Sequence, residues 1–149
     1  MKKKTLNILV LHGPNLNLLG ERDPSVYGTT TLVEIDRGLK REGARLGARV
    51  RAFQRNGEGE LIDLLHAQRR WADGLLINAG AYTHYSYALR DAIAAVALPA
   101  FEVHLSDIRK REAFRRKSVI RSVCVGCVMG KGPAGYGEAL RRLLSRIRP

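Results

Sequence analysis

The chain has 149 residues, 45% of them hydrophobic, and a formal net charge of +12. That length fits one α/β domain, taken as 1–149, with a core large enough to stand without disulfide or metal staples, and that hydrophobic content excludes a disordered chain. The longest apolar runs, such as Ala92–Ala100, are far too short to span a membrane. Lys2-Lys3-Lys4 followed by the apolar Leu6–Leu11 imitates the start of a secretory signal. That stretch ends at His12-Gly13-Pro14-Asn15 with no small-residue cleavage pattern, so it reads as the buried first strand of a cytoplasmic protein.

Strand and helix patterns alternate from there. Thr5–His12 is a continuous apolar run, as in a strand covered on both faces. Thr31–Ala48 carries Leu32, Ile35, Leu39 and Leu46 at helical spacing, with Thr30 or Thr31 as N-cap and Glu34 placed to complete a capping box. Arg49–Gln54 is a second strand. Glu58–Trp71 is a helix with Leu61, Leu64, Leu65 and Gln68 on one side. Gly74–Asn78 is a strand, Ser86–Val96 a helix, Pro99–His104 a strand and Arg109–Phe114 a short helix or turn. Ser118–Met129 holds a fifth strand, and Tyr136–Ile147 closes the chain as a helix. Five β–α units with no linker or repeat predict an α/β fold: a flavodoxin-like, doubly wound five-stranded parallel sheet in the order 2-1-3-4-5.

Open sheets of this kind bind ligands beyond the carboxyl ends of their strands. The loops there begin at His12, Gln54, Asn78, Glu102 and Gly130. They concentrate Asn, His, Ser, Glu and Gly, including His12, His84 and His104; only His66 lies elsewhere, on a helix. Glu102 alternates with His104 along one strand, which suits a carboxylate that orients an imidazole. The long segment Asn17–Thr31 has the character of a lid. It carries Arg22 and, five residues on, Tyr27. The pair fits a general base beside a cation; packing is the alternative role for the tyrosine.

Other motifs point to less. Cys124 and Cys127 are spaced C-x-x-C, but within a strand such positions face opposite ways, and no second ligand pair accompanies them for zinc. Gly130-x-Gly132-x-x-Gly135 opens the last helix with no later strand to carry a ribose-binding acid, so it reads as a tight turn and close helix packing. No lysine falls inside an apolar strand, which argues against an imine-forming one. Seven basic residues lie between Arg109 and Arg121, which keeps a nucleic-acid or anion-binding module as the alternative function.

Several long segments, in order, resemble the type II 3-dehydroquinate dehydratases (type II dehydroquinases): Ile8–Leu32 with HGPNLNLLGERDPSVYG, Asn56–Asp63, INAGAYTH at Ile77–His84 with ALRDAI behind it, EVHLS at Glu102–Ser106, and REAFR with Ser118-Val119. The resemblance covers nearly the whole chain. It implies a cofactor-free and metal-free dehydration of 3-dehydroquinate to 3-dehydroshikimate by anti elimination through an enolate, in shikimate synthesis or quinate breakdown. On it, Tyr27 is the base, Arg22 favours its ionisation and Asn15 holds a water on the enolate. His104, supported by Glu102, protonates the leaving hydroxyl. Asn78, His84, Leu105, Ser106 and Arg115 bind substrate. Asp91 reaches a neighbouring subunit's site in trimers that gather into a dodecamer, and Arg111 matches a family arginine of open role. A phenol titrates near 10, so half-ionisation at neutral pH takes about 4 kcal/mol, and one close arginine supplies about 1–3 pKa units of that. The chain departs from the family at Arg55, Ala79, Tyr85, Asp107 and Arg109. Asp107 adds a negative charge beside Ser106. A catalytically dead relative is a further reading, opposed by the retention of both base and acid.

Overall fold

The structure, a computed structural model, describes residues 2–149. The apolar run at the start of the chain becomes β1 (Leu6–His12), buried at all positions but Asn7. It takes a parallel partner on each side, β2 (Ala48–Gln54) and β3 (Gly74–Asn78). β4 (Ala100–His104) pairs with β3, and β5 (Gly126–Met129) with β4, giving the expected order 2-1-3-4-5 with every pairing parallel.

Alternation along the strands divides the core. Ile8 and Val10 of β1, Leu76 of β3 and Phe101 and Val103 of β4 face α2 (Leu32–Arg45) and α5 (Ala134–Ile147). Leu9, Leu11, Leu75, Ile77 and Ala100 face α3 (Glu58–Gln68) and α4 (Tyr87–Val96). α2 begins with the expected capping box at Thr31: Glu34 N–H donates to Thr31 Oγ1 at 3.2 Å, and Thr31 N–H to Glu34 Oε2 at 3.3 Å. Ser86 caps α4 by accepting from Leu89 N–H. The segment read as a lid holds one short helical turn, α1 (Pro24–Tyr27), capped by Asp23.

The fifth strand differs most from expectation. Only Gly126–Met129 pairs with β4, and Arg121–Val123 forms a 3-10 turn. The residues before it find partners elsewhere. Val119 N–H donates to Thr83 O, and Val119 and Ile120 bury themselves on the α3/α4 side. Cys124 therefore precedes the strand and Cys127 lies in it. Burial pushes their thiols up, to about 12 and about 11, so both stay protonated at neutral pH. α3 also stops at Gln68, three residues short of Trp71.

The glycines at the end of β5 make a turn. Gly130 and Gly132 have φ of 76° and 58°, and a Cβ on Gly135 would sit 3.3 Å from Val128 Cγ1. Gly13 allows the closest approach at the ligand-binding edge. A Cβ there would lie 2.4 Å from the Ala79 carbonyl oxygen, and its N–H donates to Asn78 O at 2.7 Å. The loops after β1 and β3 thereby touch backbone to backbone.

Candidate active site

A cleft of about 110 Å³ opens at the carboxyl ends of β1, β3 and β4. Asn15 and Arg22 line it from the loop after β1, and Tyr27 from α1. Asn78 enters from the end of β3 and His84 from the turn after it. His104, Leu105 and Ser106 come from the end of β4, and Arg111 and Arg115 from the segment beyond. Nine of the eleven residues given a role from the sequence therefore share one cleft, and Arg111, whose role was open, joins them. Glu102 lies behind it, fully buried. Asp91 does not reach it: it is an exposed residue of α4, 3.1 Å from Arg90.

Tyr27 sits between two arginines. The Arg22 guanidinium carbon lies 3.9 Å from the ring centroid, over the ring face. Arg111 approaches the hydroxyl itself, with its two terminal nitrogens 3.4 and 3.5 Å from Tyr27 Oη, and donates to Ser106 Oγ at 3.2 Å. The cation nearest the phenol oxygen is thus Arg111, whose role the sequence left open. Its separation from Tyr27 along the chain conceals the contact.

His104 Nε2 is 2.6 Å from Glu102 Oε1, and the two share a face of β4 as their alternation requires. Ser118 Oγ donates to the same oxygen at 2.6 Å, and Arg121 Nε to the other at 2.5 Å. Burial alone raises the Glu102 pKa; the donors His104, Arg121 and Ser118 outweigh it and bring the carboxyl to about 2. An ionised Glu102 makes Nε2 the donor nitrogen of His104 and leaves Nδ1 for the cleft. His84 Nδ1–H donates to Lys117 O at 2.7 Å. Desolvation, with the charges of Arg115 and Arg111, holds the His84 pKa below the ordinary value, so its Nε2 is an acceptor at neutral pH.

Asn15 stands in the left-handed region at φ 67°, and its N–H donates to Asn56 Oδ1 at 3.1 Å. Asn56 is held in turn by Gln54 Nε2 and by the Tyr82 hydroxyl, which donates to its carbonyl. The departures Asp107 and Arg109 answer each other: Arg109 donates to both Asp107 oxygens, at 2.9 and 2.8 Å, and holds that carboxyl at about 2. The charge added beside Ser106 is thereby countered locally.

The basic run Arg109–Arg121 is divided rather than pooled. Arg111 and Arg115 line the cleft, Arg109 pairs with Asp107, Arg121 with Glu102, and Arg116 donates to the Arg111 carbonyl. No helix among the described residues is long and apolar enough to cross a membrane.

The sequence matches the family described as Dehydroquinase class II over residues 6–144. It is 54% identical to the 3-dehydroquinate dehydratase of Pelotomaculum thermopropionicum over 136 residues, covering 91% of this chain and 94% of that one. It is 53% identical to that of Nostoc sp. over 143 residues, covering 96% and 97%. Among solved structures it resembles the type II dehydroquinase of Butyrivibrio crossotus, with a TM-score of 0.92 at 40% identity and coverage of 94% and 98%. The type II dehydroquinase of Propionibacterium acnes matches with a TM-score of 0.90 at 37% identity, covering 97% and 99%. A family match spanning nearly the whole chain, joined to this cleft, means that the chain belongs to the class II dehydroquinases.

Proposed function

We propose that the chain dehydrates 3-dehydroquinate to 3-dehydroshikimate through an enolate, with Tyr27 as base and His104 as acid. The observation that carries this reading is one cleft holding a phenol between two guanidinium groups and an imidazole backed by an ionised carboxylate. Tyr27 takes the C2 proton, and the C–H electron pair moves into the enolate. Arg111 stands within 3.5 Å of the hydroxyl and Arg22 over the ring face, so positive charge lies beside the oxygen that receives this proton. Asn15 holds a water that donates to the enolate oxygen. As the enolate collapses, the C–O bond breaks, and His104, positioned by Glu102, protonates the departing hydroxyl to water.

The polar lining suits a small polyhydroxylated acid. Arg115, Ser106 and the backbone at Leu105 take the carboxylate, Asn78 and the acceptor nitrogen of His84 take hydroxyls, and Arg111 joins Arg22 at the base. The enzyme works in the cytoplasm as a trimer-based dodecamer, in which Asp91 completes a neighbour's site. Its exposure is what such a role needs.

Mixing purified protein with 3-dehydroquinate tests the reading. The ultraviolet absorbance of the conjugated product should appear, and borohydride added with substrate should leave activity intact, since no lysine lines the cleft. Absence of the absorbance change overturns the activity; a covalently trapped adduct overturns the enolate route.

A further inference from the structure

Behind the cleft, a chain of polar side chains runs through the α2/α5 half of the core. His12 and Asn78 end β1 and β3 and are register partners, so their side chains leave the sheet on the same face as Val10 and Leu76. Tyr136, on α5, meets both: its hydroxyl lies 3.1 Å from His12 Nδ1 and 3.1 Å from Asn78 Nδ2. His12 Nε2 lies 2.7 Å from Asp36 Oδ1 on α2. His12 is fully buried, Tyr136 is 1% and Asn78 4% exposed, while the Asp36 side chain is 24% exposed. These are costly groups to bury unless each donor finds an acceptor.

Only one assignment of protons satisfies them all. Gly80 N–H donates to Asn78 Oδ1 at 3.1 Å, which fixes the orientation of that amide and turns Nδ2 towards Tyr136. An amide nitrogen cannot accept, so Nδ2–H donates to the tyrosine oxygen. The Tyr136 proton then has His12 Nδ1 as its acceptor. Burial raises the Tyr136 pKa, which keeps that proton in place. His12 must therefore carry its hydrogen on Nε2 and donate it to Asp36. One Nδ2 hydrogen of Asn78 remains, on a residue that lines the cleft.

We propose that Asp36, His12 and Tyr136 are positioning residues that hold Asn78 as a hydrogen-bond donor to the ligand, so that Asn78 selects an acceptor oxygen of a hydroxyl or carboxylate. The inference rests on the dehydratase reading for its ligand, but the proton assignment stands independently of it. The contact is made to the ground state and the transition state alike, so its loss raises KM and spares kcat.

Two measurements test this. In the wild type, nitrogen-15 NMR of His12 should show a protonated Nε2 and an unprotonated Nδ1. Steady-state kinetics with 3-dehydroquinate should show KM raised about tenfold in Tyr136→Phe and in Asp36→Leu, with kcat within about threefold of wild type. Asp36→Asn keeps an acceptor for Nε2–H and should restore KM to within about twofold. Asp36 is the most exposed member, so Asp36→Leu remains informative if Tyr136→Phe fails to fold. A His12 protonated on Nδ1, or a folded Asp36→Leu with unchanged KM, overturns the proposal. A wild type with no turnover but the expected His12 tautomer overturns the dehydratase reading and the ligand assigned to Asn78, and leaves the proton assignment supported.

Discussion

Arg121, a surface residue, and His104, in the cleft wall, hold opposite oxygens of one buried carboxylate: Arg121 Nε is 2.5 Å from Glu102 Oε2 and His104 Nε2 2.6 Å from Oε1. The carboxylate is thereby braced from outside the cleft as well as from within it. Glu102 is buried in the fold yet ionised, so the connection bears on stability and on the orientation of the imidazole together.

The first prediction concerns acid stability. The Glu102 carboxyl is held at about 2, against an ordinary 4.5, so it binds protons less readily in the folded chain than in the unfolded one. Its stabilisation is complete above about pH 4.5 and is lost as the pH falls towards 2, amounting to roughly 3 kcal/mol. Asp107 falls in the same window and adds a background slope. Glu102→Gln should therefore melt below wild type at pH 7, and the gap should narrow between pH 4.5 and 2. Melting curves by circular dichroism check this; a constant gap would show that Glu102 ionisation contributes nothing.

For the base, Tyr27→Phe keeps the ring between the arginines and removes only the hydroxyl. kcat should fall at least about 10²-fold, the lower end for loss of a general base, with the melting temperature within a few degrees of wild type. Arg111→Ala should lower kcat more than Arg22→Ala, because Arg111 approaches the hydroxyl and Arg22 the ring face. Steady-state rates in the three variants check it, and near-normal turnover by Tyr27→Phe would remove the base assignment.

The order of proton transfers gives a third. His104→Ala should lose dehydration but still exchange the substrate's C2 proton with solvent, since proton removal precedes loss of water. Proton NMR of substrate in deuterium oxide reads this directly. Loss of exchange along with turnover would mean that His104 is needed to form the enolate.

Asp91 supplies a fourth. Among the described residues of its own chain its ion-pair partner is the half-buried Arg90, a contact contributing at most about 1 kcal/mol. If it completes a neighbour's site, mixing inactive Tyr27→Phe with inactive Asp91→Ala subunits, after reversible dissociation, should recover part of the activity. Some sites then combine an intact Tyr27 with a neighbour's intact Asp91. A mixture no more active than its components places Asp91 outside any shared site.

Much of the architecture follows from local pattern. The apolar run of β1, the helical spacing and capping box of α2, and the alternation that puts Glu102 and His104 on one face are each properties of a few neighbouring residues, and a period of 2 or 3.6 expresses them without reference to the rest of the chain. The motifs after the strands were legible for the same reason, because a parallel sheet brings all its carboxyl ends to one edge. Which side chains meet across that edge is a different matter. Arg111 reaches Tyr27 from 84 positions away, and Tyr136 joins His12 from 124 away. The Ser118–Cys124 stretch abandons the sheet for hydrogen bonds to Thr83 and Glu102. These pairings depend on strand register and loop path. Both are settled by the packing of the whole core, where the alternative to each contact is a buried polar group left without a partner.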